Sequence, residues 1–219
     1  MILFDNSYML QMLEKSLRKR LPESLKVYGT VFHMNQGNPF KLKALVDKWP
    51  DFDTVVVRPQ EQPGDTEMNV GDGEQVPILK KLTGSCNEEM FKHSTLDVTH
   101  AALVDKFWYF GGNRRSQRFI ERCIQSFPTL CLLGPEGTPV TWALMDQSGE
   151  LRMGATVPKY RSQGLGTYVL YSYVQSMDKL GFPTYNHADK ANKISQKMNH
   201  TLQLVPMPCD WNQWNCVPL

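Results

Sequence analysis

The segment Leu151–Leu180 places a strand-like run, a glycine-containing turn and a helix-like run in direct succession. Leu151–Val157 is typical of a strand, and Gly164–Leu180 has the apolar periodicity of a helix. The turn between them, Arg161–Gly166, has two glycines that let the chain approach a bulky anion. Because the first amides of a helix lack partners, this order predicts an α/β fold with a phosphate-binding turn. An ordinary glycine turn is the alternative.

The composition describes an ordinary globular protein. Hydrophobic residues make up 41% of the 219 residues and charged residues 21%, so the chain can bury a core. The formal net charge of +2 is too small to indicate binding to nucleic acid or to a membrane surface. No apolar run approaches the length of roughly 20 residues that a membrane span needs. We therefore expect a soluble protein.

The cysteines predict no disulfide framework and no metal site. Their number is odd, and they form no C-x-x-C pair and have no histidine at metal-ligand spacing. We expect reduced thiols in an intracellular compartment, with apolar segments around Cys123 and Cys131 that favour packing over a nucleophilic role. The five cysteines are Cys86, Cys123, Cys131, Cys209 and Cys216.

The N-terminal segment is basic and amphipathic. Leucines recur at helical spacing from Leu10 to Leu21, and lysines and arginines occupy the other faces. Mitochondrial import sequences share these properties but are usually poor in acids, whereas Asp5 and Glu14 are present here. We expect a folded first helix that also serves as an uncleaved import address.

The first sixty residues predict a small α/β region. Its expected elements are a helix over Tyr8–Leu21, a strand over Leu25–Val31, a helix over Pro39–Lys48 and a strand over Asp53–Val57. From Gln60 to Lys92 turn and breaker residues dominate, which indicates a linker. We therefore divide the chain into an N-terminal α/β region (1–60), an irregular linker (61–92) and a second domain (93–219).

The second domain has clearer signals. Two helices are expected first, one starting at the capping-box pattern Ser94–Asp97 and one ending before Pro128. A hairpin, a third strand, the glycine turn and its helix follow. The remaining expected elements are a strand over Thr184–His187, a helix capped by Asp189 and a strand over Leu204–Met207.

This order of elements resembles the GNAT acyltransferase superfamily, whose Arg-x-x-Gly-x-Gly pattern holds the coenzyme pyrophosphate. Longer strings resemble the glycine N-acyltransferase family within it. Among them are Lys26-Val-Tyr-Gly-Thr-Val-Phe-His33, Phe107-Trp-Tyr-Phe-Gly-Gly-Asn113, Leu132-Leu-Gly-Pro-Glu-Gly-Thr-Pro139 and the C-terminal Trp211-Asn-Gln-Trp-Asn-Cys-Val-Pro-Leu219. The resemblance implies a mixed, mostly antiparallel sheet flanked by helices, preceded by a smaller N-terminal α/β domain. Family members are longer, so the central segment of this domain is incomplete here.

The family resemblance also implies which residues form the site. Glu150, in Gly149-Glu-Leu-Arg-Met153, matches the glutamate proposed as general base in the family. Without the resemblance, the sequence favours an exposed hairpin residue paired with Arg152 over a base. The residues implied for coenzyme binding are Val157, Lys159, Arg161, Gln163, Gly164, Leu165, Gly166 and Asn192. For the cation that binds the acceptor carboxylate, Arg114, Arg115 and Arg152 are the candidates.

The implied activity is transfer of an acyl group, such as benzoyl, from acyl-CoA to the amino group of glycine. Acyl-CoA is then a co-substrate, and no permanently bound cofactor is expected. The resemblance further implies a mitochondrial matrix enzyme of detoxification, which we expect to be a monomer. Two alternatives remain open: glutamine as the acceptor, and a non-catalytic CoA-binding protein disabled by its shortened centre.

Overall fold

The computed structural model describes residues 1–60 and 90–207. The α-helices are α1 Ser7–Arg18, α2 Leu25–Asn35, α3 Ala101–Phe107, α4 Arg114–Ser126, α5 Leu165–Lys179 and α6 Lys193–Thr201. The strands are β1 Ile2–Phe4, β2 Leu42–Val46, β3 Val55–Pro59, β4 Lys92–Ser94, β5 Thr129–Leu133, β6 Pro139–Met145 and β7 Leu151–Thr156.

The chain divides into two compact units. The N-terminal unit consists of Met1–Met68 together with Gln147–Glu150, and the C-terminal unit of Asn69–Asp146 and Leu151–Leu219. The segment Gln147–Glu150, which we call the tip, joins β6 to β7 in the chain and nevertheless clusters with the N-terminal unit. The predicted linker lies mostly outside the described residues, so the predicted domain boundaries stay a prediction.

A three-stranded antiparallel sheet and two helices form the core of the N-terminal unit. The strand order is β1-β2-β3, with Leu45 opposite Leu3 and Val56. Helix α1 is capped by Asn6, whose Oδ1 accepts from the Met9 amide at 2.8 Å. The buried core residues come from both helices, the sheet and the loop after β2: Phe4, Leu10, Leu13, Leu17, Tyr28, Val31, Met34, Ala44, Val46 and Phe52.

Two predicted elements of this unit have the wrong type. Leu25–Val31, expected as a strand, forms the start of α2, and Leu42–Val46, inside the expected helix, is strand β2. In α2 the side chains at Tyr28 and Val31 are buried three positions apart, so packing on one helical face overrides the β propensity of the segment. β1 was not predicted, and β3 begins two residues after the expected start.

The C-terminal unit has a four-stranded antiparallel sheet in the order β4-β5-β6-β7. Strand β6 is buried at every position, and α5 packs against β5, β6 and β7 while α3 packs against β7. Helix α5 follows β7, the last strand of the sheet, through the glycine turn, as the resemblance implied. The predicted α/β fold, with antiparallel strands flanked by helices, is confirmed.

Four local predictions in this unit were wrong. The expected helix start at Ser94 is the end of β4, and Asp97 instead caps a 3-10 turn, Val98–His100, that leads into α3. Thr184–His187 forms no continuous strand and is tied to β7 by the Leu151 amide, which donates to the Tyr185 carbonyl at 2.8 Å. The run after α6 is irregular, and α6 is capped by Asn192 rather than by Asp189. Short segments such as these depend on tertiary neighbours rather than on local propensity.

Within the N-terminal unit, helix α2 packs closely against the tip. A Cβ added at Gly29 would lie 1.9 Å from the Ser148 carbonyl oxygen and 2.8 Å from its carbon. Both are backbone atoms, which cannot rotate away as a flexible side chain can. Only glycine therefore fits at this point of the helix.

We expect Gly29→Ala to lower the free energy of unfolding by more than about 2 kcal/mol through overpacking. In an isolated helix, alanine is more stabilising than glycine by about 1 kcal/mol. A loss of stability in this variant would therefore come from the contact with the Ser148 carbonyl. Urea unfolding followed by circular dichroism measures it. The exposed Lys15→Ala on α1 is the control and should stay within about 0.5 kcal/mol of the parent. Unchanged or increased stability of the glycine variant would contradict the packing described here.

Candidate functional site

The turn between β7 and α5 places two left-handed residues directly before the start of a helix. A short 3-10 turn, Pro158–Tyr160, leads into it, and Ser162 and Gly164 adopt left-handed φ values of 61° and 75°. The first helical bond runs from the Tyr168 amide to the Gly164 carbonyl at 3.0 Å. The amides before Tyr168 are therefore the helix-start donors that an anion would meet.

The second glycine of the pattern anchors the helix start to the sheet. A Cβ at Gly166 would lie 2.9 Å from Thr156 Oγ1, so the helix approaches the end of β7 closely. Thr156 Oγ1 is in turn 2.9 Å from Thr141 Oγ1 on β6. This pair of hydroxyls joins the two strands directly behind the turn. Leu165 between the glycines is buried, which fixes the first turn of α5 on the core.

Two basic residues at the turn have different surroundings. The Nζ of exposed Lys159 lies 3.2 Å from Glu136 Oε1, and the hydrogen bond to this carboxylate raises the pKa of Lys159. The same carboxylate accepts from the Tyr160 hydroxyl at 2.9 Å. Arg161 donates its Nε–H to the Thr156 carbonyl at 3.0 Å, which uses one of the five guanidinium donors. Arg161 is thus held at the turn with donors left for a ligand.

The other predicted coenzyme residues lie in ordinary structural positions. The Val157 amide donates to the Val140 carbonyl at 2.8 Å, and Gln163 follows the left-handed Ser162. Asn192 caps α6, because its Oδ1 accepts from the Ser195 amide at 3.1 Å. Capping is the structural role that an asparagine at a helix start commonly has. Their contacts with a coenzyme stay predictions.

Glu150, the predicted base, is buried in the N-terminal unit. It is 3% exposed, and its Oε2 lies 3.2 Å from Lys26 Nζ of α2. Glu150 is therefore not the exposed hairpin residue of the alternative interpretation. In the C-terminal unit Arg152 bonds to buried Asp146 at 3.3 Å and lies 5.7 Å from the Trp108 ring centroid. Asp146 and Trp108 are thus two neighbours of Arg152, one of the three candidates for binding the acceptor carboxylate.

Lys26 was missed as a site residue. Its ion pair with Glu150 spans 124 positions of sequence, and nothing in the local pattern singles out this lysine. The one available signal was its place at the start of the family-like string that ends at His33. In the structure His33 also contacts the tip, where its Nδ1 donates to the Gln147 carbonyl at 3.1 Å.

Other reactive side chains serve packing. Burial raises the pKa of the Cys131 thiol to about 11 and raises that of Cys123 as well, so both stay protonated at neutral pH and are poor nucleophiles. Cys86, Cys209 and Cys216 lie outside the described residues. The buried Tyr173 donates its hydroxyl to the Pro128 carbonyl at 2.8 Å. His93 on β4 and Tyr168 on α5 form an exposed hydrogen bond of 2.9 Å.

Residues 1–60 and 90–207 contain neither a metal-binding cluster nor a membrane-spanning helix. No group of three or more histidine, cysteine, aspartate or glutamate side chains there could hold a metal ion. In the same part of the chain, no helix has both the length and the apolar character needed to cross a bilayer.

Family models match nearly the whole sequence. The model of aralkyl acyl-CoA:amino acid N-acyltransferase matches residues 1–74 and 66–128, and the model of its C-terminal region matches residues 130–218. A Drosophila protein of known X-ray structure aligns over 94% of this chain and 95% of its own with a TM-score of 0.71. At 12% identity this likeness shows the fold alone.

Similar curated proteins cover the full chain. Glycine N-acyltransferase of Homo sapiens is 50% identical and a glycine N-acyltransferase-like protein of Mus musculus 51% identical, each over 100% of both chains. Glycine N-phenylacetyltransferase of Bos taurus is 48% identical over 96% of this chain and 97% of its own.

The alignments also locate the missing segment. The alignment to the mouse protein has 296 positions and this chain has 219 residues, so at least 77 positions face no residue of this chain. The model of the family's N-terminal part matches in two pieces that meet at residues 66–74. Both findings agree with a shortened centre.

The left-handed Gly164 gives a test of the turn. We expect Gly164→Ala to lower the free energy of unfolding by about 1–2 kcal/mol, because an L side chain is strained at a φ of 75°. Gly164→Asn should cost less, since asparagine tolerates this region. Ser162→Gly is the matched control, because glycine adopts the left-handed φ of 61° at this position without strain. Denaturant unfolding measures all three, and equal losses for Gly164→Ala and Ser162→Gly would contradict the assigned backbone.

Proposed function

The chain belongs to the aralkyl acyl-CoA:amino acid N-acyltransferase family, an enzyme family, and on that premise we propose that it transfers the acyl group of an acyl-CoA to the amino group of glycine. The observation that carries the proposal is the β7–α5 turn, where left-handed Gly164 precedes a row of helix-start amides. Relatives named for glycine at about 50% identity support the acceptor. Aromatic acyl groups such as benzoyl are the proposed donors.

Acyl-CoA binds at the turn in this proposal. The pyrophosphate meets the amides of Gln163, Gly164, Leu165 and Gly166, because helix-start amides and the helix dipole favour an anion. Arg161 adds a charge-assisted hydrogen bond, and Lys159 contributes less because Glu136 already binds it. We further propose contacts of Val157 with the thioester arm and of Asn192 with the pantetheine arm.

Glu150 acts as the general base in the proposed reaction. Glycine is mostly protonated at neutral pH, and its nitrogen attacks only after losing a proton. One ammonium proton passes to the Glu150 carboxylate, and the freed nitrogen lone pair then forms the N–C bond. The C–S bond breaks, and the CoA thiolate leaves with the bonding electron pair. The second proton, which the nitrogen loses on becoming an amide, goes to the thiolate. The products are N-acylglycine and free CoA, and no covalent acyl-enzyme forms.

We also propose the setting of the reaction. The enzyme works as a monomer in the mitochondrial matrix, where it conjugates aromatic acids for detoxification. The basic, amphipathic α1 supports the import address, with Lys15 and Arg18 on its last turn. Leu10, Leu13 and Leu17 of the same helix are buried in the core, which supports an address that is not cleaved. Import into isolated mitochondria, followed by gel mobility of the imported chain, tests both statements.

The shortened centre favours one competing function. A chain that lacks at least 77 positions of its relatives could bind CoA without turning it over. Release of thiol from benzoyl-CoA, measured with glycine, with glutamine and without acceptor, separates the possibilities. Glycine-dependent release supports the proposal, whereas glutamine-dependent release reassigns the acceptor. CoA binding without release supports the non-catalytic function.

For the base, we expect Glu150→Gln to lower kcat/KM for glycine by about 100-fold or more, because glutamine cannot accept the proton. The KM for benzoyl-CoA should change little. Glu23→Gln, an exposed glutamate before α2, is the matched control and should keep the parent rate. An active parent whose rate is unaffected by Glu150→Gln at every pH would remove Glu150 as the base and leave the acyl transfer intact.

For the coenzyme, Arg161→Ala should raise the Kd of CoA about tenfold, as expected for loss of one charge-assisted hydrogen bond. Lys159→Ala should raise it by about threefold or less, because the ammonium is already bound by Glu136. Isothermal titration with CoA measures both variants. The opposite ranking would show that the phosphates lie nearer to Lys159.

A further inference from the structure

A lysine is paired with the buried carboxylate of Glu150 inside the N-terminal unit. The Lys26 Nζ lies 3.2 Å from Glu150 Oε2, and the side chains are 18% and 4% exposed, respectively. A contact at this burial differs from a surface ion pair, which water and salt screen. Removing one partner of such a pair leaves a charge in a poorly solvated place. The pair therefore affects whether the Glu150 carboxyl group is ionised.

The pair belongs to a continuous contact between one face of α2 and the tip. Lys26, Gly29 and His33 are spaced at i, i+3 and i+7, so they lie on the same side of the helix. They meet Glu150, Ser148 and Gln147 in that order. The helix thus fixes the position of Lys26 through two further contacts along the tip. A lysine held in this way keeps a defined geometry toward the carboxylate.

We propose that Lys26 is a positioning residue that keeps Glu150 ionised and oriented for proton abstraction, an inference that rests on the proposed role of Glu150 as base. Burial alone favours the neutral carboxylic acid, which cannot accept a proton. A neighbouring ammonium group favours the carboxylate. Lys26 thereby lets the base be buried and still charged at neutral pH. Lys26 keeps its own protons throughout, and the proton from the amine moves to Glu150.

Other charged and titratable groups near the tip have partners of their own. His33, from the same helix as Lys26, donates to the Gln147 carbonyl. Asp146 and Arg152 flank the tip in the chain and bond to each other at 3.3 Å. The ammonium of Lys26 bonds directly to the Glu150 carboxylate. Lys26 is therefore a direct charged neighbour of the Glu150 carboxylate.

The test compares pH profiles of kcat/KM for glycine with benzoyl-CoA as donor, using the full chain. The value of kcat/KM should rise with pH as Glu150 loses its proton. In Lys26→Met we expect this rise to move to higher pH by about 1 unit or more, since loss of a close opposite charge favours the neutral acid. At any pH below that rise, kcat/KM of the variant should therefore be about tenfold or more below the parent value. Lys26→Arg keeps the charge and should restore the parent profile.

The control is Lys48→Met, which removes the exposed pair between Lys48 and Asp53 (2.6 Å) in the same unit and should leave the profile unchanged. Circular dichroism shows whether each variant is folded, and if Lys26→Met is not, Lys26→Gln replaces it. A folded neutral variant with the parent profile would overturn the role of Lys26. If Glu150→Gln itself retains full activity, the proposed base fails, which is a separate result.

Discussion

The close packing of α2 against the tip is the constraint on which the placement of Glu150 depends. At Gly29 the helix touches the Ser148 carbonyl so closely that even a methyl group has no room. This contact brings Lys26 and His33 within bonding distance of the same four-residue segment. Glu150 is therefore buried and paired, although it follows a turn where an exposed residue is expected. The absence of a side chain at Gly29 thus determines the surroundings of the Glu150 carboxyl group.

The C-terminal unit builds the proposed coenzyme-binding turn from backbone conformation. The left-handed Gly164 ends the loop and starts α5, so that the first amides of the helix precede its internal hydrogen bonds. Gly166 permits close packing on Thr156, and the Thr141–Thr156 hydroxyl pair ties this point to the sheet. Arg161 is oriented by a strand carbonyl. An anion would meet preorganised donors there, which lowers the cost of binding.

The shortened centre leaves these parts in place. At least 77 alignment positions are missing relative to the mouse relative, yet the described N-terminal unit retains a three-stranded sheet with ten buried core residues. Helix α2 and the tip lie within the described part, as does the β7–α5 turn. Each residue that the proposed reaction uses is therefore present and ordered into an element or turn.

The sequence by itself determined the fold class, the β5–β6 hairpin, the glycine turn and α5, because these depend on local periodicity and on turn residues. It also picked out Glu150 and the turn residues through family resemblance. Only the tertiary structure decided that Leu25–Val31 is helical, since burial of one helical face outweighs β propensity there. It alone revealed Lys26 beside Glu150, because a pair separated by 124 residues is formed by packing and leaves no local pattern.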